Sequence, residues 1–291
     1  MQLNHQVVDT PPRPAASVVL LRDGARGLEI FLLKRHGDSD VLGGMYVFPG
    51  GKLDKEDSDS HVLAQIDTPV PVLHQALGEP ELDPAIAAGF FVAACRETFE
   101  ESGVLFAADA GATQAEEAAA LAREGLSFAQ LLTRMNLTAA VSRITPWSRW
   151  VTPHRPSLMN KRFDVRFFAA VVPADQVAAH DNHETTDSVW LSPRVAIEQY
   201  WEGKIGLAPP QLMSLAELSR HATAAEVIDP ARRRWPRVIL PNSFEQESAR
   251  VLVYPGDERH EVRERMMPGP TRLIHRNNRF EPMEGFEGFF A

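Results

Sequence analysis

Three glutamates, Glu97, Glu100 and Glu101, have the spacing of side chains that share one face of a helix. At 100° per residue they fall within an arc of about 100°, and Cys95 and Phe99 lie around the opposite side. Carboxylates near the C-terminal end of a helix are disfavoured by the helix dipole, and like charges three or four residues apart repel. A divalent cation would reverse both effects. The spacing therefore favours a site for Mg²⁺ or Mn²⁺, which bind hard oxygen ligands.

These glutamates require a helix that ends just beyond them. Asp83 followed by Pro84 is a typical N-cap and first-turn pair, and Gly103 is a typical C-terminal stop. The sequence therefore predicts a helix over 84–102. Within it Arg96 lies beside the second glutamate and is placed to pair with a carboxylate. Taken alone, a Glu-x-x-Glu-Glu pattern is more typical of a solvated acidic face, so the neighbouring residues must decide.

Strands rich in Val, Leu, Ile and Phe are expected to support this helix. The runs 16–22 and 28–34 predict an antiparallel pair joined by a Gly-containing loop. A short strand over 45–48 ends at Pro49-Gly50-Gly51, where proline blocks the ladder and glycine permits positive φ. A second group of strands is predicted over 147–152, 163–172 and 188–191. Helices are predicted over 112–123 and 127–135 and after Pro193 and Pro209.

The segment around the glutamates resembles a known family motif. Arg96-Glu97-Thr98-Phe99-Glu100-Glu101-Ser102-Gly103-Val104 is similar to the second half of the Nudix box, and Phe48-Pro49-Gly50-Gly51 is similar to its approach. Two residues depart from the pattern, since Asp57 stands where Glu is usual and Thr98 where an aliphatic residue is usual. In addition, residues 58–95 take the place of a much shorter segment. The chain is identified from these motifs as a member of the Nudix hydrolase superfamily.

The long insertion and the flanking residues resemble one subgroup, the peroxisomal-type coenzyme A diphosphatases. Leu32-Leu33-Lys34-Arg35, followed by Gly44 and by residues 48–51, is similar to the coenzyme A signature of that subgroup. Ser39-Asp40 stands where a second arginine is usual. Residues 162–168 and 207–210 are also similar, and the likeness covers roughly residues 14–222.

The resemblance implies an α/β (α+β) Nudix fold, a mixed sheet sandwiched between helices with helical insertions. It implies hydrolysis of the diphosphate of coenzyme A or acyl-coenzyme A, giving 4′-phosphopantetheine or its acyl form and adenosine 3′,5′-bisphosphate. Metal ions would neutralise the diphosphate and acidify bound water. The site residues that it implies are the metal ligands Glu97, Glu100 and Glu101, catalytic roles for Glu97, Arg96 and Glu101, and the substrate contacts Arg35, Phe48, Gly50 and Gly51.

Two choices stay open at this point. The base that takes the water proton is Glu97 or a downstream acid such as Glu184. The substrate is coenzyme A or, as the alternative, NAD(H), an ADP-sugar or another nucleoside diphosphate derivative. A non-catalytic ligand-binding module is a third hypothesis, but such relatives commonly lose the acids of the box, and here all three glutamates are present.

The 291 residues carry no Gly/Ser linker or charge block that would divide them. We expect a flexible lead over 1–13, a Nudix domain over 14–229 and a C-terminal extension over 230–291 packed on the same domain. The inserted segment 58–84 is Asp-rich and then Pro-rich. It predicts a surface excursion with at most one short helix, and we expect it to influence acyl-chain preference.

Composition excludes several classes of partner. The formal net charge of −9 argues against general nucleic-acid binding, and no apolar run approaches the length of a membrane span. The single cysteine, Cys95, cannot form an internal disulfide, which favours a reducing, cytoplasmic location. A homodimer is compatible with the sequence but is not indicated by any motif.

Overall fold

The computed structural model describes residues 3–39, 41–181 and 184–291. The strands are β1 (Arg13–Gly24), β2 (Gly27–Arg35), β3 (Tyr46–Val47), β4 (Gly50–Lys52), β5 (Thr145–Val151), β6 (Phe163–Val171), β7 (Thr185–Leu191), β8 (Arg237–Ile239), β9 (Asn242–Gln246), β10 (Ala249–Val253), β11 (Arg272–Arg276) and β12 (Arg279–Pro282). The α-helices are α1 (Ser60–Leu63), α2 (Val70–Leu77), α3 (Pro84–Ser102), α4 (Ala112–Arg123), α5 (Phe128–Arg134), α6 (Pro193–Trp201), α7 (Pro209–Leu218) and α8 (Ala224–Ala231).

The main sheet is mixed and follows the order β3-β2-β1-β6-β5-β8, with β4 on β1 and β7 on β2. The β1–β2 pair is antiparallel, as predicted, whereas β1 and β6 run parallel. One strand is placed differently from the prediction: β7 pairs with β2 and not with the β5–β6 group. Phe31 of β2 contacts Trp190 of β7 with ring centroids 5.2 Å apart, so an aromatic contact accompanies this pairing.

Helices cover both faces of the sheet, which confirms the predicted fold class. Because successive side chains of a strand point to opposite faces, Val18 and Leu20 of β1 join one hydrophobic cluster, and Val19 and Leu21 join the other. The first cluster packs under α2 to α5, and the second under α6 to α8. Helix α3 is held in the first cluster, next to β1 and β4.

The inserted segment is more structured than predicted. It forms two α-helices, α1 and α2, and it buries Val62, Leu73 and Leu77 in the first cluster. Pro69 is the N-cap of α2 and Pro71 lies in its first turn, where the missing N–H costs nothing. The prolines that suggested an irregular excursion therefore begin a helix.

The C-terminal residues add to the same core. Strand β8 extends the main sheet by pairing in parallel with β5, and β9 to β12 form a separate four-stranded antiparallel sheet. Tyr254, Leu273 and Phe280 of this region belong to the second hydrophobic cluster. At the other end of the chain, the backbone N–H groups of Asn4 and Val8 donate to the loop that follows β5.

Among the described residues, no helix combines the length and the apolar character that a transmembrane span needs.

Candidate active site

Helix α3 presents the glutamates, and its ends are as predicted. The Asp83 side chain accepts hydrogen bonds from the N–H groups of Ala85 and Ile86, and Gly103 ends the helix in the left-handed conformation at φ 72°. Cys95 and Thr98 are fully buried against the sheet. The opposite face of the last two turns therefore carries the carboxylates.

The three glutamates differ in exposure. The Glu100 side chain is 45% exposed and that of Glu97 is 14% exposed. Glu101 was expected to lie outside the core, but it is only 4% exposed. Its Oε2 atom accepts the backbone N–H of Gly50, the first residue of β4, at 2.8 Å. Glu101 therefore connects the glycine-rich loop to the helix.

Arg96 lies at the centre of this acidic cluster. Its Nη1 atom donates to Glu97 at 2.8 Å and to Glu100 at 3.0 Å. Its Nε and Nη2 atoms each bond a different oxygen of Asp57 at 2.9 Å, and Nη2 also donates to the Lys52 carbonyl at 3.0 Å. Asp57, which departs from the family pattern, thus has an ion-pair partner in the helix.

Gly50 and Gly51 of β4 have no side chain, so strand β1 can lie close to Gly50 and the Glu97 carboxylate can lie close to Gly51. A Cβ atom on Gly50 would lie 2.4 Å from the Ala16 carbonyl oxygen, and its φ of 154° favours glycine. A Cβ atom on Gly51 would lie 2.3 Å from Glu97 Oε1. Any side chain at position 51 would therefore displace the Glu97 carboxylate.

Burial makes two of the carboxylates hard to ionise. Desolvation raises the pKa of Glu97 to about 7, helped by the charge of Glu100 and opposed by Arg96. Desolvation raises the pKa of Glu101 to about 8, opposed by the Gly50 N–H. Both carboxyl groups therefore keep a proton at higher pH than a free glutamate does, and a bound cation would oppose this shift.

The donor set fits a hard divalent cation by its chemistry and charge. Glu97, Glu100 and Glu101 supply carboxylate oxygens, and a cation would offset the unfavourable charges of the two buried groups. Within residues 3–39, 41–181 and 184–291, no three acidic, histidine or cysteine side chains are already gathered as a metal site. Arg96, which bonds Glu97 and Glu100 directly, takes part of the compensating role in this conformation.

A cavity of about 900 Å³ opens beside the acidic cluster. The predicted site residues on its wall are Arg35, Phe48, Gly50, Gly51, Arg96, Glu97, Glu100 and Glu184. Arg35 lies between two glutamates, with Nη1 3.7 Å from Glu101 and Nη2 3.5 Å from Glu184. Glu101 does not line the cavity, because it is buried behind Gly50 of β4.

Another part of the wall comes from residues that the sequence did not single out as site residues. Trp150, Phe167, Leu252 and Tyr254 line it, together with Gln211 of α7. The Leu207–Pro210 run, which resembles the coenzyme A diphosphatases, leads directly into this wall. Aromatic and aliphatic residues at strand positions are normally core residues, so no sequence signal separates them from the rest of the core.

Weaker sequence candidates lie elsewhere. Arg166 forms ion pairs with Glu79 and Asp164, and Arg162 bonds backbone carbonyls, so both are engaged in structural contacts. Residues Asp40 and His183 lie outside the described part of the chain.

Comparison with known proteins gives a consistent result. A family model described as the NUDT19 Nudix domain matches residues 7–218. Acyl-coenzyme A diphosphatase NUDT19 of Xenopus laevis is 28% identical over 79% of this chain and 70% of its own, and that of Gallus gallus is 28% identical over 84% and 79%. A crystal structure of a NUDIX hydrolase from Alicyclobacillus acidocaldarius matches 79% of this chain and 99% of its own, with a TM-score of 0.60 at 23% identity, and shares the fold. The chain belongs to the NUDT19 Nudix domain family and is a Nudix hydrolase.

Proposed function

We propose that this chain hydrolyses the diphosphate bond of coenzyme A or acyl-coenzyme A, releasing 4′-phosphopantetheine or its acyl form and adenosine 3′,5′-bisphosphate. The observation that carries the proposal is the size and lining of the cavity of about 900 Å³. Its wall combines acidic and basic side chains, among them Glu97, Glu100 and Arg35, with aromatic and aliphatic ones. A substrate with a central diphosphate and a long, largely uncharged arm matches this arrangement. The names of the Xenopus and Gallus relatives support the same substrate class.

The acidic cluster is the part that would hold the metal, which we propose to be Mg²⁺ or Mn²⁺. Glu97, Glu100 and Glu101 are the candidate ligands, because their oxygens suit hard cations. When bound, the metal supplies charge neutralisation at the diphosphate and acidifies the attacking water.

The protein residues then have distinct roles. Arg96 holds Glu97 and Glu100 in fixed rotamers through its Nη1 bonds. Arg35, on the cavity wall, is placed to bind a phosphate oxygen of the substrate. Glu97 takes the water proton, since its side chain is 14% exposed and abuts Gly51, whereas that of Glu184 is 66% exposed and contacts Arg35.

The test is a substrate panel read by mass spectrometry of the products. We expect coenzyme A and acyl-coenzyme A to be cleaved with Mg²⁺ or Mn²⁺ and to remain intact with EDTA. Cleavage in ¹⁸O water should label one phosphate product, which identifies the attacked phosphorus. Intact coenzyme A together with cleaved NADH or ADP-ribose would replace the proposed substrate with the alternative one. A Glu101→Gln control should abolish metal-dependent turnover on every substrate.

A further inference from the structure

Two cationic side chains on the cavity wall have no acidic partner. Arg13 is the first residue of β1 and Lys52 is the last residue of β4, and both line the cavity of about 900 Å³. Both residues are exposed, and within residues 3–39, 41–181 and 184–291 neither side chain forms an ion pair or a hydrogen bond. The other two arginines of the wall, Arg35 and Arg96, are already paired with carboxylates. The positive charges of Arg13 and Lys52 are therefore available to a ligand.

The strand register brings Arg13 and Lys52 close to each other. Lys52 of β4 is opposite Ala15 of β1, so Arg13, two residues along β1, is its diagonal neighbour on the same face of the sheet. Diagonal neighbours lie about 7–8 Å apart, within the reach of long side chains. Lys161, which also lines the cavity, comes two residues before Phe163, the partner of Arg13 in β6. A third cation is therefore placed at the same end of β1.

These cations lie beside the acidic cluster but are not part of it. Gly51, which precedes Lys52, abuts the Glu97 carboxylate and pairs with Ala16 of β1. Arg13 lies three residues from Ala16, which corresponds to about 10 Å along the strand. A substrate whose diphosphate lies at the acidic cluster must therefore carry a second anionic group to engage these cations.

The chemistry of the candidate substrates distinguishes between them on this point. NADH, ADP-ribose and ADP-sugars carry no anionic group besides their diphosphate. Coenzyme A carries in addition a phosphate monoester on the 3′ carbon of its ribose. Such a monoester has a charge of about −1.5 to −2 at neutral pH and three acceptor oxygens, which arginine and lysine bind well. Unpaired cations beside the position of the diphosphate therefore match coenzyme A better than the alternative substrates.

We propose that Arg13 and Lys52 bind the 3′-phosphate of coenzyme A. The Arg13 guanidinium and the Lys52 ammonium group donate to its oxygens, and Lys161 adds positive charge beside them. The proposal rests on the proposed function for its substrate class. It assigns the choice between coenzyme A and other nucleoside diphosphate derivatives to the beginning of β1 and the end of β4, outside helix α3.

The first experiment compares coenzyme A with 3′-dephospho-coenzyme A as substrates. The wild type should prefer coenzyme A in kcat/KM, and Arg13→Met and Lys52→Met should each reduce this preference about 5- to 10-fold, a range between an exposed ion pair and a charge-assisted hydrogen bond. Most of the change should appear in the KM for coenzyme A, because the 3′-phosphate is remote from the bond that breaks. No preference in the wild type, or the wild-type preference in both variants, would overturn the proposal and leave the diphosphatase activity in place.

Arg26→Met is the matched control. Arg26 is exposed between β1 and β2 and does not line the cavity, so this variant removes the same charge from another place. It should keep the wild-type preference for coenzyme A, and a loss equal to that of Arg13→Met would reduce the effect to net charge and overturn the proposal. All three variants should keep the wild-type Tm, because none of the three side chains forms an ion pair or a hydrogen bond in the described part of the chain.

A binding measurement separates this proposal from the proposed reaction. Isothermal titration into the full chain should show that adenosine 3′,5′-bisphosphate binds about 5-fold more tightly than AMP, which lacks the 3′-phosphate. This difference should disappear in the Arg13→Met/Lys52→Met double variant. The two results together would support the proposal even if coenzyme A were not hydrolysed. Equal affinity of the wild type for the two nucleotides, or no binding of the bisphosphate up to about 5 mM, would overturn it.

Discussion

The Arg96 guanidinium and the Asp57 carboxylate face each other through two hydrogen bonds of 2.9 Å, and the Asp57 side chain is only 3% exposed. The same carboxylate accepts the Asp54 N–H at 2.8 Å. This ion pair joins the turn that follows β4 to helix α3. It therefore fixes the arginine that contacts Glu97 and Glu100.

Removing this carboxylate should destabilise the fold. Asp57→Asn leaves the buried Arg96 charge without its main partner, and we expect the free energy of unfolding to fall by about 3–5 kcal/mol. Urea denaturation followed by circular dichroism measures the change. Asp54→Asn is the control, because that side chain is 65% exposed and lies 3.7 Å from Arg96. Equal losses in the two variants would contradict a special role for the Asp57 pair.

The choice between the two candidate bases can be made kinetically. Glu97→Gln should lower kcat by about 10²–10⁴, the range for loss of a general base or of a ligand beside it. Glu184→Gln should lower kcat less than about tenfold, because Glu184 is exposed and would act through Arg35. Single-turnover rates at saturating Mg²⁺ provide the comparison. A larger loss in Glu184→Gln would assign the base to Glu184.

Gly51 is predicted to be required for the position of Glu97. A Gly51→Ala Cβ would displace the Glu97 carboxylate, and we expect kcat to fall about 100-fold with a change in Tm of only a few degrees. Gly37→Ala is the control, since its Cβ would meet no atom within 4 Å. Gly50→Ala should instead lower Tm strongly, because its Cβ meets the Ala16 backbone. Wild-type turnover in Gly51→Ala would show that the Glu97 position is not critical.

Metal binding should stabilise the protein more at higher pH. Burial raises the pKa of Glu97 to about 7 and that of Glu101 to about 8, from an ordinary value of 4.5. Without metal, the stability associated with these groups is full below the ordinary pKa and is lost as pH rises through the raised values. Mg²⁺ replaces the protons, so the gain in Tm on adding Mg²⁺ should increase between about pH 6 and about pH 8.5.

Differential scanning fluorimetry with Mg²⁺ or with EDTA measures this gain. In the Glu97→Gln/Glu101→Gln double variant the gain should be small and independent of pH. A gain that is the same at every pH in the wild type would contradict the assignment of these two carboxylates as ligands.

The inserted segment is predicted to act on stability and not on acyl-chain selection. Among the described residues, none from 58–84 lines the cavity, contrary to its expected influence on acyl preference. Leu73 of α2 is 3% exposed, and Leu73→Ala should reduce the free energy of unfolding by about 2–5 kcal/mol. The ratio of kcat/KM for acyl-coenzyme A and coenzyme A should stay at the wild-type value. The exposed Val72→Ala is the control, and a changed ratio in Leu73→Ala would restore the selectivity hypothesis.

Local signals were sufficient to predict the helix of the acidic cluster and the strands β1, β2, β3, β5, β6 and β7, but not β4 or the C-terminal strands β8 to β12. Asp83, Pro84 and Gly103 mark the ends of α3 through their own backbone preferences, which do not depend on distant residues. The pairing of β7 with β2 was predicted wrongly, because strand partners depend on contacts far apart in the chain, such as that of Phe31 with Trp190. Pro69 and Pro71 could either prevent a helix or begin one, and only the packing of α2 against the core shows that they begin it.

The part of the cavity wall that the sequence predicted consists of charged residues together with Phe48, Gly50 and Gly51. Acidic residues at helical spacing near a helix C-terminus can be recognised in the sequence, because the helix dipole disfavours them there. Two other features depend on how β4 and the turn after it pack on α3. They are the hydrogen bond of Glu101 with Gly50 and the ion pair of Asp57 with Arg96. Tyr254 and Gln211 carry no such conflict in the sequence, so their place on the cavity wall becomes visible only in the folded structure.

The cavity wall draws on stretches of chain that lie more than a hundred residues apart, among them the acidic helix at 84–102 and residues after 240. Substitutions after residue 240 can therefore change the cavity wall without replacing any residue of the acidic cluster. A hydrolase of this kind can therefore change its substrate range through substitutions in its C-terminal residues while its acidic cluster stays the same.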